Sequence, residues 1–135
     1  MARFEDASLS PGEWTHRAHL TVALWYVSHH APGVAFDRMR SGILGLNAAH
    51  GVPTTPTRGY HETLTRFYMC VVTHHVHQQG VTGDWAERAN RLVDRLGARD
   101  LPLHHYSEAR LRSPKARAEW MEPDLMPLPE RTRGR

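Results

Sequence analysis

Cysteine is almost missing from this 135-residue chain: Cys70 stands alone, so no disulfide forms within it and a disulfide-stapled secreted scaffold is excluded. Lysine is equally scarce, with Lys115 the single lysine among 17 basic residues. The arginines run from Arg3 to Arg135, interleaved with 14 acidic residues, so the formal charge of +3 is not gathered into the basic face of a nucleic-acid binder. Only Arg131-Thr-Arg-Gly-Arg135 reads as a basic tail. No apolar run approaches the ~20 residues that cross a bilayer, and residues 1–10 lack the regions of a signal peptide. Phosphate-loop and nucleophile-elbow motifs are missing too: Gly42-Ile-Leu-Gly45 falls inside a helical pattern with no Lys-Ser/Thr after it, and no serine lies in a G-x-S-x-G context. A mean hydropathy of −0.56 fits a soluble globular chain. The expectation is a cytoplasmic protein with no membrane or nucleic-acid partner, one domain over residues 1–130, and a tail at 131–135.

The chain does carry clear helix punctuation. Ser10-Pro11-Gly12-Glu13 orders an N-cap, a proline at the first helical position and a glutamate three residues past the cap, a capping box. The helical pattern runs from there to His30, where Ala31-Pro32-Gly33 stops it. A second helix is predicted from about Val34 to His50, closed by Gly51, and a third from near Tyr60 to Gly80. A fourth opens on a second capping box, Asp84-Trp-Ala-Glu87, and ends at Gly97. Beyond Pro102 two short helical turns are expected, through Leu111 and around Trp120, before an extended Pro123–Pro129. No segment alternates long enough for a strand. The predicted fold class is therefore all-α: four main helices in an antiparallel bundle, with a C-terminal segment of short helices packed across one end.

The abundance of histidine, 11 residues, needs a physical account. Helical projection puts His16 and His19 on the apolar side of the first helix with Leu20, Ala23 and Val27. It puts His61 on the inward stripe of the third helix with Leu64, Tyr68, Val71 and His75. Alternating helix directions then gather His16, His19, Asn47, His50, Tyr60, His61, Glu62 and the His104-His105-Tyr106 segment at one pole. His29, His30, His74, His75 and His77 fall at the other, at helix C-termini where the macrodipole favours imidazolium. The first pole lies at helix starts and has no such reason. Inward-facing neutral imidazoles need partners, and one divalent transition metal would satisfy several at once. The expected centre is mononuclear, with His16, His19 and His61 as ligands of Zn, Fe, Cu or Ni, which the sequence does not separate. Glu62 is read as a fourth ligand, a general base on bound water, or the i,i+4 partner of Arg66. Tyr60 is read as a hydrogen-bond donor to substrate. Cys70 reads as a buried thiol, and Trp14, Trp25, Phe67 and Tyr68 as core.

The phrases Trp14-Thr-His16-Arg-Ala-His19-Leu20, Gly59-Tyr60-His61-Glu62-Thr63 and His105-Tyr106-Ser107 resemble those of a family of small bacterial proteins with no settled activity, over roughly residues 10–125. The resemblance implies that these phrases recur together, and through His-Tyr-Ser it singles out His105 over His104 as a further metal ligand. The architecture is also similar to DinB-like bundles, which hold one divalent metal with histidines from separate helices; their histidine spacing is not found here. The expected function is a metal-dependent enzyme acting on a small-molecule substrate by metal-activated water or oxygen chemistry. The alternatives are a non-enzymatic helical module for a small ligand or protein partner, and an arginine-rich accessory protein that docks an acidic partner.

Overall fold

The structure, a computed structural model, describes residues 1–129; the basic tail expected at 131–135 lies outside the described residues. The chain is all-α. In order it forms α1 (Ala2–Glu5), α2 (His16–His29), α3 (Pro32–Ala49), α4 (Glu62–Gln79), α5 (Trp85–Leu96), a 3-10 turn (Leu101–His104), α6 (Glu108–Arg112) and α7 (Pro114–Ala118). No helix of the described residues is long and apolar enough to cross a membrane.

One start differs from expectation. The Ser10 capping box forms, with the Glu13 amide donating to Ser10 Oγ at 3.2 Å and the Ser10 amide to Glu13 Oε1 at 2.9 Å. It closes only a single turn, because Thr15 interrupts the backbone; Arg3 holds the Glu13 carboxylate in a two-pronged pair at 2.6 and 2.7 Å. Thr15 is extended (φ −86°, ψ 170°) and its Oγ1 accepts from the Ala18 amide, so α2 begins at His16 instead of Pro11. The third main helix starts beside Tyr60, as expected, with His61 as its N-cap, Nδ1 accepting from the Leu64 amide at 3.1 Å. The Asp84–Glu87 capping box opens α5 as predicted.

Helix α2 packs on α3, α4 and α5. Leu20 and Leu24 of α2, Met39 and Leu46 of α3, Val72 of α4 and Leu92 of α5 make the central core. Arg88, near the start of α5, donates to Ser28, near the end of α2, at 2.7 Å, as an antiparallel pair requires. Four-residue α1 was not foreseen. It holds Phe4 (2% exposed) against Gly42, where a Cβ atom would lie 2.0 Å from the ring. The small residue at 42 is thus a slot for Phe4.

The C-terminal segment packs along α4 and not only across one end. Tyr106 and Leu128 cover Phe67 and Val71 of α4, with Leu111 and Trp120 beside them. Thr63 fastens it, donating to the Glu119 carbonyl at 2.9 Å and accepting from the Met121 amide at 3.1 Å. The Tyr106 hydroxyl donates to the Met121 carbonyl at 2.7 Å.

Candidate functional site

The start of α2, the second half of α3 and the start of α4 enclose a cleft of about 410 Å³. This is the pole that alternating helix directions predict, and the cleft gathers His16, His19, Asn47, Tyr60 and His61. Leu20, Ala23, Met39, Ile43, Leu64 and Met69 supply most of its apolar wall. The loop between α3 and α4 closes one side through Val52 and Gly59. Gly59 has φ +89°, and a Cβ there would meet the Pro53 carbonyl oxygen at 2.6 Å, so only glycine fits this return. Arg117 of α7 ties the loop down from behind, donating to the Gly59 carbonyl at 2.9 Å.

The histidines of the cleft differ in how they are used. His61 has both nitrogens engaged: Nδ1 accepts from the Leu64 amide, so the neutral ring carries its proton on Nε2, which donates to the Leu111 carbonyl at 2.8 Å. Burial holds its pKa below the ordinary value and Arg117 adds to this, against the Leu111 carbonyl. As it stands, this ring has no lone pair left for a metal, and its evident work is to cap α4 and hold α6. His19 stacks on Trp14, ring centroids 3.8 Å apart, and its ring makes no hydrogen bond among the described residues. Burial, with His16 beside it, brings its pKa down to about 4, so the ring is neutral at pH 7. His16 meets Tyr68 edge to face at 5.6 Å. Its Nε2 is buried without a partner. Burial and then Arg99 lower its pKa, while the Gly97 carbonyl acts the other way.

Of the remaining predicted residues, His105 and Glu62 lie outside the cleft wall. His105 belongs to the C-terminal segment, its Nδ1 donating to the Met126 carbonyl at 2.9 Å and its ring against Phe67 at 5.3 Å. The segment from residue 100 onward, expected to wall the site, reaches it only indirectly, through Leu111 and Arg117. Glu62 is neither free base nor open ligand. Its Oε1 accepts from the Tyr60 hydroxyl at 2.7 Å and from Arg40 Nε at 3.2 Å, and Arg66 approaches Oε2 at 3.7 Å. The ion pair with Arg66 is thus present, within a larger network that also fixes Tyr60. Tyr60 lines the cleft with its ring, its hydroxyl spent on Glu62; burial, then that bond, raises its pKa.

At the opposite pole the helix-dipole account fails for His75. It is 6% exposed and kept neutral by burial, then by Arg95, Arg91 and Arg88. Among the described residues no group of three or more His, Cys, Asp or Glu is placed to hold a metal ion. Trp14 packs against the core, as its apolar character predicts, with Phe4 at 5.1 Å, and in addition forms a wall of the cleft. Its place five residues before His19, across a break in the helix, left no periodic signal. Compared with known proteins, the chain matches no family model, no curated protein and no solved structure. The functional reading therefore rests on its own residues.

Proposed function

We propose that the cleft between α2, α3 and α4 is a binding site for a small molecule, with the His19 edge as its polar anchor. The observation that carries this is an imidazole with no hydrogen bond, stacked on Trp14, in a largely apolar cleft of about 410 Å³. That size and lining are those of small-molecule sites. The test is a screen of small fragments by thermal shift on the full chain and on Leu64→Trp, which fills the cleft from its wall. Fragments that raise the melting temperature of the natural protein should lose that effect in the variant. Hits that persist in Leu64→Trp, or no hits at all, would overturn the reading.

A metal-dependent enzyme is the second reading, and one observation favours it: the orphaned Nε2 of His16, which a metal shared with His19 would satisfy. The centre would then rest on two neutral histidines, since His61 would have to abandon both its bonds to join. Loading with Zn²⁺, Fe²⁺, Cu²⁺ and Ni²⁺ followed by elemental analysis separates the readings. About one metal per chain, lost in both His16→Ala and His19→Ala, supports the enzyme; no retained metal leaves the binding module.

A further inference from the structure

Resting on the binding reading above, we infer that the cleft selects uncharged ligands that pair a hydrogen-bond donor with an acceptor on an apolar body, the chemistry of a primary amide. The first ground is charge. None of the side chains lining the cleft is Asp, Glu, Lys or Arg. Of the charges behind the wall, Glu62 is paired with Arg40, Arg66 and the Tyr60 hydroxyl, while Arg117 donates to the Gly59 carbonyl with its Nε unpartnered and Arg99 stands near His16 and Tyr68. A carboxylate or ammonium entering the cleft would shed its water and meet no counter-ion in the wall itself, a penalty that outweighs the contacts of a small apolar body.

The second ground is the polar inventory left over for a ligand. The Thr65 hydroxyl is spent on the His61 carbonyl at 2.9 Å, the Tyr60 hydroxyl on Glu62 at 2.7 Å, and both His61 nitrogens are used. Among the described residues that leaves the rings of His16 and His19, the Trp14 N–H, the Tyr68 hydroxyl and the carboxamide of Asn47 without a side-chain hydrogen bond. A neutral imidazole offers one N–H and one lone pair, and a carboxamide offers both kinds of group. Together these groups present both donors and acceptors with no net charge. Burial, which keeps His19 neutral, acts in the same direction, because an anion would have to bring its own proton. The Trp14–His19 stack adds a flat wall suited to a planar body.

Four probes of similar size test the inference on the full chain at pH 7.5: benzamide, benzoate, benzylammonium and toluene. Binding is followed by NMR titration of the His19 and Asn47 side-chain signals. Benzamide should bind at least tenfold tighter than either charged probe. His19→Phe keeps the ring and the stack but removes the polar edge, and should weaken benzamide about tenfold while leaving toluene unchanged. Asn47→Leu tests the second anchor in the same way, independently of whether the first variant folds. Benzoate or benzylammonium binding as tightly as benzamide would overturn the ligand class while leaving the site standing. If none of the four probes, toluene included, moves either signal, the binding reading itself falls.

Discussion

His61 shows how one side chain can resemble a ligand and be a fastener. It is 8% exposed and spends one nitrogen on the first turn of α4 and the other on the Leu111 carbonyl, 50 residues away in sequence. Removing the ring should forfeit an N-cap worth about 0.5–2 kcal/mol and strand a half-buried carbonyl at roughly 1–3 kcal/mol. His61→Ala is therefore expected to destabilise the protein by about 2–4 kcal/mol in urea unfolding. His61→Asn, which restores a cap but cannot reach Leu111, should recover about half. A loss below about 0.5 kcal/mol in the alanine variant would contradict the fastener role. His16 makes the opposite case. Its Nε2 is buried with no partner, so the native state carries a desolvation cost that a pure scaffold would not keep. His16→Phe should keep the edge contact with Tyr68 and raise stability by about 1 kcal/mol. A destabilised but folded variant would mean that Nε2 is satisfied in solution.

Among the elements, those with purely local signals were legible and those decided by distant contacts were not. Helix α5 carries its whole start in Asp84 and Glu87, so sequence and structure agree on it. For α2 the sequence holds two caps, Ser10 and Thr15, within six residues; the Ser10 box with Glu13 closes one turn, and the extended Thr15 opens the long helix. Helix α1 has no side-chain cap and is four residues long, and its reason for existing is the Phe4 slot at Gly42. The pole of the cleft followed from helix order alone, which is why His16, His19, Asn47, Tyr60 and His61 were placed together. What helix order does not reveal is which ring nitrogens are already bonded: His61 Nδ1 is taken by the local cap on Leu64, but its Nε2 partner comes from α6 and the His105 partner from the C-terminal segment. That segment is itself a structural element of α4. Thr63→Val keeps the shape of the side chain but deletes the bonds to Glu119 and Met121, and should cost about 1–3 kcal/mol. Hydrogen exchange should locate the loss at residues 105–128. If protection there were unchanged, Tyr106 and Leu128 alone would suffice to hold the segment.

At the scale of the molecule, the buried imidazoles set how stability responds to pH. His16, His19, His61 and His75 all have pKa values below the ordinary 6.5, with burial the largest cause in each, and His19 lies at about 4. In the unfolded chain these rings take up protons as pH falls through 6.5; in the folded chain they do so only further down. Unfolding therefore absorbs protons between about pH 6.5 and 4, and the folded state loses stability as pH falls through that window. Each proton fully taken up contributes a slope of about 1.4 kcal/mol per pH unit, and four rings set the upper limit. Above pH 7.5 these groups contribute no slope. The lowered carboxylates act in the same direction but in a separate range, since Glu13, held to about 2 by Arg3, starts from an ordinary value of 4.5. Urea midpoints measured from pH 8 to 4 should thus be level at first and then fall steeply below 6.5. His75→Gln, at the pole away from the cleft, should remove up to one proton from the uptake without touching the binding site. A midpoint that stays level from pH 7 to 5 would show that the rings take up protons as readily in the folded chain as in the unfolded one, and their burial would not hold them neutral.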